Sequence, residues 1–345
     1  MSQNNWPEPT SEEYVIKDFH FRDGNTLPEL RIHYRTLGRL RWDQNGVATN
    51  AVLILHGTTG SGADFFRNIF ACRLFNSGQP LSAEDYFLIL PDNIGHGKSS
   101  KPSDGLRARF PIYCYSDMVR AQHMLLTQHL NVNHVRLVMG TSMGGMHTWI
   151  WATTYPDFMD ALFPLASLPT QISGRNRMWR KMILDSIRKD PEFAEGNYQS
   201  PPRGFRTALY LMTHMAPSPA VLQKAGPDRE SADEFLDKTI ETGLNEKDAN
   251  DFAYAFDASW DYDPKPKLGE IKAPLTAVNF ADDPICPPEL RLLEDGMEQV
   301  RNGKAVVVPI GESTIGHGTH SVAEVWIEHL VELLERSKRA SKAKL

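Results

Sequence analysis

Apolar and polar residues alternate in two runs near the start of the chain, Tyr14-Val15-Ile16-Lys17-Asp18-Phe19-His20-Phe21 and Leu30-Arg31-Ile32-His33-Tyr34-Arg35-Thr36, separated by the turn signal Asp23-Gly24-Asn25. A period of two belongs to a strand with one buried and one wet face, so these runs predict an antiparallel pair. The pattern then changes. Ala51-Val52-Leu53-Ile54-Leu55 and Tyr86-Phe87-Leu88-Ile89-Leu90 are unbroken apolar runs, as expected of strands covered on both faces. His134 to Met139, Ala161 to Ala166, Leu275 to Phe280 and Ala305 to Ile310 continue the series. Helical spacing occupies residues 116–130, with Ser116 as a cap, then 146–155 and 321–338. Strands alternating with helices predict a mostly parallel eight-stranded α/β sheet with helices on both faces and the antiparallel pair at its edge.

From about Thr170 to Lys267 strand-type runs vanish, and Met-rich, charged, Pro-punctuated helical segments such as Met178 to Asp185 and Ala208 to Met212 replace them. This predicts a helical lid over residues 170–267, inserted into a core formed by residues 1–169 and 268–345. The Met and aromatic side chains of the lid read as packing.

The stretch Gly140-Thr141-Ser142-Met143-Gly144 follows an apolar strand and opens a helix. A strand that turns at once into a helix crowds its own backbone, and glycines at 140 and 144 relieve the contact while the Ser142 hydroxyl is lifted clear of the sheet. A neutral serine is a weak nucleophile and needs a base, which in turn needs an orienting carboxylate. Asp282 and Asp283 follow the strand at 275–280, and His317 and His320 follow the strand at 305–310. His317 is favoured as the base for its Gly-flanked loop position, because His320 falls in the first turn of the next helix. The loop His56-Gly57-Thr58-Thr59-Gly60 is expected to supply an oxyanion donor, the Thr58 N–H, beside that of Met143. His33, His123, His134 and His214 read as surface or locally bonded imidazoles, and His96 as a hydrogen-bonder within its loop.

Several alternatives fall away. Gly97-Lys98-Ser99 suggests a phosphate-binding loop, but the first glycine of that motif would fall at position 92, which is Asp. A net charge of −6 with 41% hydrophobic and 23% charged residues offers no basic surface for nucleic acid, and the basic tail from Glu335 to Lys344 reads as the end of a solvated helix. No run approaches the ~20 apolar residues of a membrane span, and Met1 to Pro9 lack the basic and apolar segments of a secretory signal. Cys72, Cys114 and Cys286 are odd in number and lack metal-type spacing, which predicts buried thiols, a reducing cytoplasmic setting, no metal and no bound cofactor.

Taken in order, Asn50-Ala51-Val52-Leu53, Asp117-Met118-Val119-Arg120, Gly140 to Met146, Asp190-Pro191, Asp248-Ala249-Asn250 and Asp283-Pro284-Ile285-Cys286-Pro287-Pro288 resemble the homoserine O-acetyltransferase family of α/β-hydrolases, over about residues 14–335. The resemblance implies the α/β-hydrolase fold, with Ser142 as nucleophile, Asp283 rather than Asp282 as orienting acid, and His317 as base. It also admits a homodimer. Two positions depart from the family: transferases follow the His with an Asp where this chain has Gly318, and carry a lid Arg where this chain has Leu209. Loss of both charges would remove recognition of a zwitterionic acceptor. The expectation is therefore a serine carboxylesterase, an esterase-like member acting on small, acetyl-type esters. An acetyl-CoA-dependent O-acetyltransferase is the alternative, followed by a carbon–carbon bond hydrolase and a non-catalytic binding module.

Overall fold

In the computed structural model, which describes residues 5–342, the two alternating runs form β1 (Thr10–His20) and β2 (Thr26–Leu37), paired antiparallel from Thr10↔Thr36 to His20↔Thr26. The unbroken runs become β3 (Ala51–Leu55), β4 (Phe87–Pro91), β5 (Leu137–Thr141), β6 (Leu162–Leu165), β7 (Leu275–Phe280) and β8 (Gly303–Val308). Their order in one eight-stranded sheet is β1-β2-β4-β3-β5-β6-β7-β8. β2 pairs antiparallel with β4, and every pair from β4 to β8 is parallel. This is the α/β-hydrolase arrangement that the sequence predicts.

The helices are α1 (Asn68–Leu74), α2 (Tyr115–Met124), α3 (Met143–Thr154), α4 (Gly174–Arg188), α5 (Arg203–Met215), α6 (Pro219–Ala225), α7 (Arg229–Glu246), α8 (Ala249–Asp257), α9 (Leu292–Met297) and α10 (Ala323–Lys342). Because side chains alternate along a strand, each central strand feeds two cores. Leu53, Leu55, Ile89 and Val138 join Met118, Val119, Trp149 and Trp151 of α2 and α3. Val52, Ile54, Leu90, Met139 and Phe163 join Phe70 and Leu74 of α1 with Trp326 and Leu330 of α10. Each such side chain, once buried, contributes about 1.5–3 kcal/mol against leaving it exposed.

Between β6 and β7 the chain leaves the sheet, and α4 to α8 form there with no strand among the described residues. These helices bury a core of their own, with Ile183, Ile187, Phe205, Leu209, Ile240, Phe252 and Phe256.

Three local expectations differ from what is found. The helix expected to be capped by Ser116 begins one residue earlier and is capped at Cys114, where the Asp117 carboxylate accepts the Cys114 N–H at 3.2 Å. Its last turn, Leu125–His129, widens into a π-turn, with the Leu130 N–H reaching Leu125 O at 3.0 Å. His33 is neither a surface nor a locally bonded residue: it is buried between Ser11 Oγ and Asp92 Oδ2, each at 2.8 Å. No described helix is long and apolar enough to cross a membrane. The first four residues of the N-terminal stretch and the last two residues of the basic tail, Ala343 and Lys344, lie outside the described part.

Candidate active site

Ser142 is the single residue between β5 and α3, and it takes up the turn with φ 54° and ψ −113°. Positive φ is uncommon away from glycine, and neighbouring bonds hold it here: the Ser142 N–H donates to Leu165 O and its carbonyl accepts from the Met146 N–H, both at 2.9 Å. The two glycines are required for close approach. A Cβ on Gly140 would lie 2.2 Å from Gly144 O, and one on Gly144 would lie 1.9 Å from Leu55 O.

The loop after β8 carries His317 to the same point. His317 Nε2 is 2.7 Å from Ser142 Oγ, and His317 Nδ1 is 2.7 Å from Asp283 Oδ2. The other Asp283 oxygen accepts the N–H groups of Ile285 and Cys286 at 2.8 and 3.1 Å. Burial pushes the Asp283 carboxyl up, but the neighbouring His317 and these hydrogen bonds outweigh it and hold the group below the usual carboxylate range. An ionised Asp283 can only accept, so His317 Nδ1 carries the proton and Nε2 is free to accept from the Ser142 hydroxyl.

Asp282 acts on the backbone instead. Its Oδ2 accepts the Gly316 N–H at 2.9 Å and so holds the histidine loop, while the His317 N–H reaches Ala216 O of the inserted segment at 2.8 Å. His320 lies edge-on to His317, with ring centres 5.4 Å apart, and burial lowers its pKa to about 3. It is therefore neutral and does not meet Ser142.

Ser142, His317, Thr58 and Gly318 line one cavity of about 560 Å³, walled on one side by α4 and α5 through Asn176, Arg180, Met212 and Met215. The loop at Thr58 is fixed from behind by two imidazoles. His56 Nε2 accepts the Asn93 N–H at 3.0 Å, which leaves the proton on Nδ1 to bond Gly57 O at 2.8 Å. The peptide unit being planar and trans, the Thr58 N–H points away from that carbonyl. His96 Nε2 meets Thr58 O at 2.6 Å and its Nδ1 meets Ile94 O at 2.9 Å, so His96 is the loop hydrogen-bonder expected of it. The Met143 side chain is buried in the core, and only its backbone N–H, in the first turn of α3 where intrahelical acceptors are absent, is available.

Of the two departures from the family, Gly318 does line the cavity, and a Cβ there would meet only Ile315, with Cδ1 at 3.3 Å. Leu209 instead packs in the core of the insertion, where a Cβ on Gly243 would come within 3.0 Å of its Cδ1. The substrate argument from that position therefore has no cavity contact behind it. Ligand atoms of Asp283, Cys286 and His317 lie within 4.8 Å of one another. Burial, however, keeps the Cys286 thiol protonated, and His317 Nδ1 is already taken by Asp283, so the cluster suits a hydrogen-bond relay rather than a metal.

Sequence reasoning missed Arg180. It is 4% exposed and shares the buried face of α4 with Ile183, Leu184 and Ile187. A charge at the helical spacing of an apolar stripe is the signal that points to it.

The chain has clear likenesses among known proteins. The α/β hydrolase fold family matches residues 50–295. A probable acyltransferase of Methanothermobacter thermautotrophicus is 32% identical over 278 residues, covering 80% of this chain and 84% of the relative. A homoserine O-acetyltransferase of Haemophilus influenzae is 28% identical over 77% of this chain and 81% of the relative. Among solved structures, esterase E22 superposes with a TM-score of 0.81 over 95% of this chain and 100% of its own; at 18% identity that likeness is one of fold.

Proposed function

The chain belongs to the α/β-hydrolase family and is homoserine O-acetyltransferase-like, and from that premise we propose that it is a serine esterase cleaving small, acetyl-type esters. The observation that supports this is the unbroken relay from Ser142 Oγ through His317 to Asp283, 2.7 Å at each step, at the wall of a cavity. In this reading Ser142 Oγ attacks the ester carbonyl while His317 Nε2 takes its proton. The N–H groups of Thr58 and Met143 hold the oxyanion. His317 then returns the proton to the departing alcohol, leaving acetyl-Ser142. Water attacks this acyl-enzyme with His317 again as base, and acetate leaves.

A second reading shares the first half of this sequence and differs in what removes the acyl group. An O-acetyltransferase would load Ser142 from acetyl-CoA and pass the acetyl group to an alcohol. It is favoured by the transferase names of the two relatives above.

Following the acetyl group by NMR in one tube with a short alkyl acetate, acetyl-CoA and homoserine separates the two. Free acetate formed from the alkyl ester, with acetyl-CoA untouched, is the expected result. O-acetylhomoserine formed at the expense of acetyl-CoA would replace the esterase reading with the transferase. Ser142→Ala should lower either turnover by about 10⁴-fold or more, and an active, folded Ser142→Ala enzyme would sink both.

A further inference from the structure

Arg180 is a buried charge that pairs with no carboxylate among the described residues. A lysine in its place could lose its proton on burial; a guanidinium cannot, so it needs acceptors and, in a dry site, a counter-charge. Its protein partners are all neutral. Nε donates to Asn176 Oδ1 at 3.1 Å, and Nη1 donates to Phe256 O at 3.0 Å and to Ser259 Oγ at 3.4 Å. The Phe256 ring lies 5.4 Å from the guanidinium carbon. Among the described residues Nη2 makes no close hydrogen bond, and no carboxylate forms an ion pair with this side chain.

The acids nearest the cavity are already engaged. Asp283 is bound to His317, and Asp64 to the Ser61 N–H at 2.8 Å and to Arg67 at 2.9 Å. Beside the guanidinium is the fully buried Tyr115 hydroxyl, which Arg180 and Thr58 approach without closing a short hydrogen bond. A guanidinium without a carboxylate partner, on the wall of the cavity that holds Ser142 and with a hydroxyl beside it, forms a receptor for an anion.

We propose that Arg180 receives a carboxylate carried by the ester substrate, so that the natural substrate is a small O-acyl acid rather than a neutral ester or a zwitterion. The proposal rests on the esterase reading for its chemistry, but binding tests it without turnover. The positive charge comes from α4, whereas Leu209 on α5 is buried in the insertion. No acidic side chain stands at Gly318 to receive an amino group.

The test uses full-length Ser142→Ala protein, titrated calorimetrically with acetoxyacetate and with acetoxyacetamide, which match in size and differ in charge. A hydrogen-bonded charge pair is worth enough that the acid should bind about 10-fold to 100-fold more tightly than the amide. Adding Arg180→Gln should abolish that preference. Arg180→Lys, which keeps the charge without the planar fork, should retain part of it, and it carries the test if circular dichroism shows that the Gln variant does not fold. Equal affinity for the two ligands, a preference that survives Arg180→Gln, or binding of neither ligand would overturn the proposal. The NMR experiment on the wild-type enzyme judges the esterase reading separately.

Discussion

At the scale of single residues, the site depends on backbone positions that tolerate almost no change. Gly144 is the sharpest case, because a methyl group there would sit 1.9 Å from the Leu55 carbonyl oxygen, a main-chain atom that cannot swing aside. Gly144→Ala should destabilise the fold by about 3 kcal/mol or more, beyond ordinary core overpacking, as read by urea denaturation. Gly318 is the contrast, since its nearest obstacle is the flexible end of Ile315. The turn at Ser142 is legible in sequence because glycine and serine at that spacing answer a local steric need. Arg180 is hard to see there because the basic cluster Arg175 to Lys181 resembles a wet helix face, and only its register with Ile183 and Ile187 reveals that it turns inward.

Among the elements, α8 is tied to the short 3₁₀ turn Pro102–Asp104 by one acid: Asp251 accepts the Ser103 N–H at 2.8 Å and the Ser103 hydroxyl at 2.6 Å. Burial outweighs these bonds and raises the Asp251 pKa to about 6. Between the ordinary carboxylate range and that value, the folded chain keeps a proton that the unfolded chain has released, so stability contributed by this group falls as pH rises through the window. The melting temperature of wild type relative to Asp251→Asn should therefore decline from about pH 4 to about pH 6 and stay level above it. A difference independent of pH would refute this link between the inserted helices and the core. Element boundaries are less legible than element types. Ser116 has the residue type of a cap, yet the helix starts at Tyr115 because Asp117, three residues from Cys114, closes the capping box from inside.

Across the whole molecule, distant pairings escape the sequence. Asp92 is fully buried at the end of β4 and gathers His33 Nδ1 at 2.8 Å, Arg35 Nη1 at 3.0 Å, the Gly62 N–H at 2.8 Å and the Lys98 N–H at 3.0 Å. Burial would raise its carboxyl, but the Lys98 N–H and nearby positive charge bring it below its ordinary value. Its contribution is thus present above the usual carboxylate range and is lost as pH falls through the lowered value. Asp92→Ala should cost about 3–5 kcal/mol by stranding Arg35 and His33, and calorimetry should show a flatter acid limb than wild type. Nothing in the local pattern at position 92 foretells such a hub, whereas the strand order follows from the alternation of apolar runs with helices.

The inserted helices leave the sheet after Leu165 and return before Leu275, and the two strands they separate lie side by side, with Leu162 paired to Leu275 and Leu165 to Val278. Departure and return are therefore neighbours in the sheet. Ser142, His317 and Asp283 all sit on the sheet side of that junction, while Arg180 sits beyond it. In descent, the part of this gene that carries Arg180 can be rewritten for new molecules as long as it keeps the Ala216 carbonyl that holds the His317 backbone.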